Sequence, residues 1–276
     1  MNKRIITDRN LIPSAERIVI KVGTSTVTHD NGRINFRNIE RIAWSISGLM
    51  NQGKEVVLVT SGAIGVGVGC LNLEEKPKEM GDKQAIAAIG QCELMNVYSR
   101  CFAEYSYVVG QVLLTKDDLD DPRTRENISN TFSALIRRKI VPIVNENDTV
   151  STQEILHNGT FGDNDSLSAH VAVLVDADIL LILSDVDGLY DSNPRENQSA
   201  RRISLVEEIS QEMRDGAGGS GSKRGTGGMQ TKVAAMSLVS SSGIAGLIAL
   251  GSDYHVIDMI MDGQDCGTFF RPQKST

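Results

Sequence analysis

The residues able to do chemistry lie in a few short clusters, and the richest runs from Gly216 to Lys232, GAGGSGSKRGTGGMQTK. Seven of the thirteen residues from Gly216 to Gly228 are glycine, and a helical pattern follows from about Met229. Glycines leave successive backbone N–H groups uncovered and permit the φ > 0 conformations from which anion-binding nests are made. The helix start aims its positive end at the same place, and Lys232, one turn in, adds a full charge. Together these features predict a phosphate site. Two familiar alternatives lack support. No GxxxxGK followed by Ser or Thr occurs in the chain. Gly216–Gly221 matches GxGxxG, but the preceding ISLVEEISQEMRD is no clean buried strand, so the dinucleotide fingerprint lacks its context. A solvated Gly/Ser linker would share the composition. Lys232 and the helix behind it argue against that reading.

Two amide- and carboxylate-rich clusters come earlier, NEND at Asn145–Asp148 and GDND at Gly162–Asp165. The first closes a strand, where polar side chains could hold an ammonium or hydroxyl of a small ligand. The second precedes a helix expected from about Ser166, and one Asp or Asn there is a default N-cap. Capping does not account for two clusters joined by what reads as a β-hairpin, so the pair is taken as functional. Asp185 and Asp187 in SDVDGLYDSNP suggest an EF-hand, but the twelve-residue loop and its final Glu are absent.

These clusters need elements to position them. Arg17–Gly23 (RIVIKVG) is a β-branched run ending in glycine, hence a buried strand. Its Lys21 either snorkels to solvent or points into the cleft at the strand's carboxyl edge, where ligands collect in open α/β sheets. The strand alone leaves both readings open. Asn35–Asn51 keeps the 3.6 spacing of an amphipathic helix, stopped by Gly53. Strand Glu55–Thr60 opens into SGAIGVGVG, placing Ser61 and Gly62 on the same edge as Gly23; a tight turn with packing glycines is the simpler alternative. Asp82–Glu104 reads as a long helix with Ala85, Ile86, Ile89, Cys92 and Met95 inward. Strands follow at 108–115 and 140–144, separated by a helix at 125–138. Asp178–Leu183 (DILLIL) is the most apolar strand and therefore central. A strand at 244–250, a short helix at 256–261 and a last strand in GTFFRP complete the pattern. Such alternation predicts an α/β fold, a largely parallel open sheet sandwiched between helices, in one domain.

Composition bounds the function. A net charge of −7 with no Lys/Arg block argues against a nucleic-acid partner, so positive potential must be local. No segment is apolar for long enough to span a bilayer, and residues 1–16 lack a signal peptide's apolar core. The four scattered cysteines (Cys70, Cys92, Cys101, Cys266) read as buried, reduced thiols of a cytoplasmic protein. The four histidines show no ligand spacing.

As an ordered set, RIVIKVGTST, LVTSGAIGVG, VPIVNENDTV, FGDNDSLSA, LLILSDVDGLYDSNP and GTGGMQTK resemble the amino acid kinase family from about Arg17 onward. Within it the NEND/FGDND pair and GTGGMQTK resemble the branch that phosphorylates glutamate. The resemblance implies an ATP- and Mg²⁺-dependent transfer to the γ-carboxylate of L-glutamate, the first step of proline synthesis. It implies that Lys21 and Lys232 contact the transferring phosphoryl group and that Asp165 organises both. It implies that Ser61, Gly62, Asp148 and Asn164 hold the amino acid. ATP would lie on Lys21, Ser184 and Asp185, and on Thr226, Gly227, Gly228, Met229, Gln230, Thr231 and Lys232. The implied partners are L-glutamate, L-proline as feedback inhibitor, and the γ-glutamyl phosphate reductase (glutamate-5-semialdehyde dehydrogenase) that consumes the product. A homo-oligomer is also expected. The sequence departs from the family pattern twice. Many members carry a C-terminal PUA domain, whereas this chain stops at Thr276, so residues 1–276 read as one kinase domain with an extension at about 1–16. The segment at 149–161 is also a few residues longer than usual.

Such chemistry agrees with the residues. A γ-carboxylate is already ionised at neutral pH and needs no general base. The obstacle is repulsion from a polyanionic donor, overcome by alignment, lysines, backbone amides and a divalent metal carried mainly by ATP. The alternatives are a sibling kinase acting on another small acid or nucleoside monophosphate, and a non-catalytic nucleotide sensor. A retired enzyme has no reason to retain both lysines and both clusters.

Overall fold

The computed structural model describes residues 4–29, 31–75, 77–151, 164–192, 194, 197, 199–216, 228–253 and 255–273. The apolar runs form the strands β1 (Arg17–Val22), β2 (Glu55–Val59), β3 (Val109–Leu114), β4 (Val141–Glu146), β5 (Ile179–Ser184), β6 (Leu205–Val206), β7 (Ala245–Leu250) and β8 (Thr268–Phe270). They make one sheet in the order β3-β4-β2-β1-β5-β7-β8-β6, with every pairing parallel except β7–β8. The run read as central, β5, is buried along its whole length between parallel neighbours β1 and β7.

Helices cover both faces because alternate strand residues point opposite ways. Ile18, Ile20, Leu58 and Ile143 pack with α2 (Phe36–Asn51) and α4 (Met80–Ala103) on one side. Val19, Val59, Val144 and Ile182 pack on the other side with α6 (Pro122–Arg137), α7 (Asn164–Leu174) and α9 (Met229–Ser241). Shorter helices are α1 (Thr24–Val27), α3 (Ala63–Cys70), α5 (Lys116–Asp120), α8 (Gln211–Gly216) and α10 (Val256–Met261).

The long helix α4 differs from the expected phase. Ala85, Ile89 and Cys92 are exposed, while Ile86, Ala87, Gly90, Leu94, Val97 and Tyr98 face inward. Glycine decides this rotation. A Cβ on Gly90 would lie 1.8 Å from the Ala63 carbonyl oxygen, and one on Gly67 would lie 2.1 Å from the Ile86 oxygen. The backbones of α3 and α4 therefore touch, a contact that hydrophobic periodicity does not register. The cysteine expectation is corrected too: Cys70 and Cys92 are exposed, Cys101 and Cys266 half-buried, and all four are free. Helix α6 starts three residues before the expected Arg125, where Asp121 caps it through the Thr124 N–H and Pro122 sits at its first position.

Residues ahead of β1 pack onto the body. Ile6 and Ile12 are buried. The Arg9 guanidinium donates to the carbonyls of Cys266, Ser204 and Gly267 at 2.8, 2.7 and 2.7 Å. Asp178 fixes the start of β1, its Oδ2 accepting from the N–H groups of Glu16 and Arg17. Among the described residues no helix is long and apolar enough to cross a membrane.

Candidate active site

The carboxyl ends of β1, β2, β4 and β5 share one edge of the sheet, and the described parts of the sequence's polar clusters sit there. Lys21 lies one residue before the end of β1 and is buried. It shares the face of Val19, toward α7 and α9, so the strand's two open readings resolve to the inward one. Its Nζ stands 2.5 Å from Oδ1 of Asp165, in the first turn of α7. From one turn inside α9, Lys232 places its Nζ 3.0 Å from Oδ2 of the same carboxylate. Thr231 Oγ1 lies 3.2 Å from that oxygen and 2.8 Å from the Gly228 carbonyl, sharing its proton between them.

Burial alone would raise the Asp165 carboxyl, but Lys21 and Lys232, by charge and hydrogen bond, hold it well below the ordinary carboxylate range. Two cations share one anion, so the triad itself has a net positive charge suited to a phosphoryl group. The capping reading of Asp165 is thereby replaced. Helix α7 already begins at Asn164, and the Asp165 side chain is fully buried between the lysines.

Three helices along the edge start after a glycine that gives no side-chain cap: α1 after Gly23, α3 after Gly62 and α9 after Gly228. A residue there with no side chain leaves helix-start amides open to a ligand. At Gly62 the glycine is required. Its φ is 101°, and a Cβ would meet Val27 Cγ2 at 2.9 Å. Ser61 just before it is buried.

Beyond β4, Asn147 accepts from the N–H groups of Val150 and Ser151, while Ser151 Oγ donates to Glu146 Oε1 at 2.9 Å. This turn carries Asp148, half-buried, along the same edge, and Asn164 is half-buried beside Asp165. On the β5 side Ser184 is buried and donates to the exposed Asp185 at 3.0 Å. Met229 and Gln230 occupy the first turn of α9, half-buried and exposed respectively. Thr226, Gly227, Gly162, Asp163 and the expected hairpin from 152 to 161 lie outside the described residues.

The structure thus joins Lys21, Asp165, Thr231 and Lys232 directly, and sets Ser61, Gly62, Asp148, Asn164 and Ser184–Asp185 around them by element. It also adds polar residues that sequence reasoning passed over. Tyr98, fully buried in α4, shares a 2.9 Å hydrogen bond with Thr60 Oγ1 at the end of β2, and burial pushes its phenol well above the usual range. Gln91, seven residues earlier on the same helix, accepts from Asn145 Nδ2 at 2.8 Å. A polar pair spaced i, i+7 on an otherwise apolar helix face was the available signal.

An open parallel α/β sheet with a lysine–carboxylate–lysine cluster on its carboxyl edge is the frame on which the chain can be classed. The chain belongs to the amino acid kinase family, matching it over residues 16–249. Within that family its similarity is to glutamate 5-kinases. It is 52% identical to "Glutamate 5-kinase" of Clostridium perfringens (strain 13 / Type A), covering 96% of this chain and 99% of that protein. For the Clostridium acetobutylicum protein of that name the identity is 49%, over 97% and 98% of the two chains. A third, from Thermoanaerobacter sp. (strain X514), is 51% identical over 94% of this chain, which spans 68% of its length. Among solved structures, UMP kinase from Bacillus anthracis superposes with a TM-score of 0.63 at 16% identity, covering 95% of this chain and 98% of that one. The T. acidophilum isopentenyl phosphate kinase product complex gives 0.62 at 19%, over 92% and 100%. These two show the fold alone.

Proposed function

We propose that this chain transfers the γ-phosphoryl group of ATP to the γ-carboxylate of L-glutamate, giving L-glutamyl 5-phosphate and ADP, the first step of proline synthesis. The observation that carries the reading is the pair of buried lysines on one carboxylate, set between an amide-rich acceptor cluster and an uncapped helix start. The near full-length similarity to glutamate 5-kinases supports the choice of acceptor.

In this reading a γ-carboxylate oxygen attacks the γ-phosphorus while the bond to the β,γ-bridging oxygen breaks, and ADP leaves with that electron pair. No proton moves in the step. Lys21 and Lys232 neutralise charge on the phosphoryl oxygens and stay in place because Asp165 holds both. The helix-start amides that follow Gly23, Gly62 and Gly228 add fixed dipoles where negative charge accumulates. Asp148 takes the α-ammonium of the acceptor, and Ser61, Gly62 and Asn164 hold the rest of it. Ser184–Asp185 and the segment from Thr226 to Lys232 take the nucleotide. The donor set fits a Mg²⁺ carried chiefly by phosphate oxygens, since the most buried carboxylate among the described residues, Asp165, is taken by lysines. When bound with ATP, that ion supplies further charge neutralisation.

We read residues 1–276 as one kinase domain of a cytoplasmic homo-oligomer. L-Proline, an amino acid of similar size, competes for the glutamate pocket. The acyl phosphate product cyclises readily, so γ-glutamyl phosphate reductase is the functional partner. Protein supplied with ATP, Mg²⁺, L-glutamate and hydroxylamine should release ADP and form γ-glutamyl hydroxamate. Equal or greater turnover of N-acetylglutamate or UMP would overturn the assignment.

A further inference from the structure

The long helix α4 reaches the ends of two neighbouring strands through buried polar groups. Val59 of β2 lies beside Val144 of β4, and the next residue on each strand is Thr60 and Asn145. Thr60 N–H donates to the Val144 carbonyl at 2.9 Å, holding the two ends together. Both side chains lie on the α4 face of the sheet, where Thr60 meets Tyr98 and Asn145 meets Gln91. All four are buried, with Gln91 7% and Asn145 1% exposed.

The amide pair has a defined polarity. Gln91 Oε1 accepts from Asn145 Nδ2, and Asn145 Oδ1 accepts from the Glu146 N–H at 2.9 Å. Both carbonyl oxygens are therefore engaged. Gln91 Nε2 is buried and has no hydrogen-bond partner among the described residues. A buried donor left unpaired costs free energy, so such a group is kept for a ligand or an ordered water. What this pair still offers is N–H, which suits an oxygen acceptor such as a carboxylate. It stands at the strand ends that lead directly into Ser61–Gly62 and into Asp148.

We propose that Gln91 is a binding residue of the acceptor site: it holds the Asn145 carboxamide and, with its own free N–H, turns the remaining donors of the pair toward one carboxylate oxygen of the bound amino acid. The proposal rests on the amino acid acceptor assigned above, and it makes α4 a specificity element rather than a packing helix alone.

Two variants test it, after an acceptor screen of the unaltered protein. The screen separates the two readings: a preference for another acceptor defeats glutamate, and Gln91 is then judged on the KM of the acceptor actually used. Gln91→Met keeps the bulk and removes the amide. It should raise the acceptor KM by about tenfold or more, the loss expected of a hydrogen bond to a charged group, with the ATP KM within about twofold. Gln91→Glu keeps an oxygen that accepts from Asn145 but loses the donors. Its acceptor KM should remain raised, whereas a residue that merely satisfies Asn145 would be rescued. A wild-type acceptor KM in Gln91→Glu, an unchanged one in Gln91→Met, or an equal rise for ATP overturns the proposal. If Gln91→Met fails to fold, Gln91→Glu decides alone.

Discussion

Lys232 Nζ stands 3.0 Å from Asp165 Oδ2, tying the first turn of α9 to the first turn of α7 across 67 residues of sequence. Both groups are buried, so each is the reason the other can remain charged there. The contact aims Lys232 at the sheet edge, where the transferred group would pass.

In the proposed reaction Lys232 would act on charge that develops during transfer, whereas Asp148 would hold a charge already present in the bound acceptor. Lys232→Met should lower kcat about a hundred- to a thousandfold. Asp148→Ala should mainly raise the glutamate KM. Steady-state kinetics on both, with folding checked by circular dichroism, decides the matter. Near-normal kcat in the first or an unmoved KM in the second means the site is drawn wrongly.

Asp165 gives a pH prediction. Its carboxyl is depressed when folded, so its stabilisation is complete above the unfolded value of about 3.9 and is lost only as pH falls through the lower folded value. Asp165→Asn should cost about 3–5 kcal/mol, the usual penalty for breaking a buried ion pair. The gap in melting temperature between the two proteins should stay constant from pH 8 to pH 5 and narrow only in stronger acid. A gap that closes already near pH 6 would contradict this.

Gly90→Ala sets helix propensity against packing. Alanine gains up to about 1 kcal/mol in a helix, but its Cβ would press into the Ala63 carbonyl at the start of α3. Overpacking of this kind costs about 1–3 kcal/mol. The variant should therefore be less stable in urea. Because α3 follows Ser61–Gly62 directly, its glutamate KM should rise more than its ATP KM.

Arg9→Ala should separate stability from chemistry. It strips the Cys266 and Ser204 carbonyls of their guanidinium donor, takes one of two from Gly267, and removes a cation stacked 5.9 Å from the Phe269 ring. A loss of about 2 kcal/mol follows, on the order of 5 °C in Tm for a chain of this size. Differential scanning calorimetry should show it with kcat unchanged.

Proline competition is read from initial rates at subsaturating glutamate. Millimolar L-proline should slow turnover, and saturating glutamate should relieve it. Rates untouched by proline would remove it as a ligand of this pocket.

What the sequence determined by itself is what depends on neighbours along the chain. RIVIKV, EVVLV and ILLILS are too apolar and β-branched to be anything but buried strands, and GTGGMQTK had to open a helix on bare amides. Only the tertiary structure decided what depends on contacts between distant segments. Hydrophobic periodicity does not give the rotation of α4, because its closest contact is made by Gly90, which has no side chain for a hydrophobic count to register. The antiparallel return of β8 and its pairing with the two-residue β6 leave no local pattern either. Lys21 is the sharpest case. One lysine in a buried strand is ambiguous alone, because its charge can be satisfied by water or by a partner. Burial of Asp165 on α7, within reach of both lysines, resolves it toward the cleft.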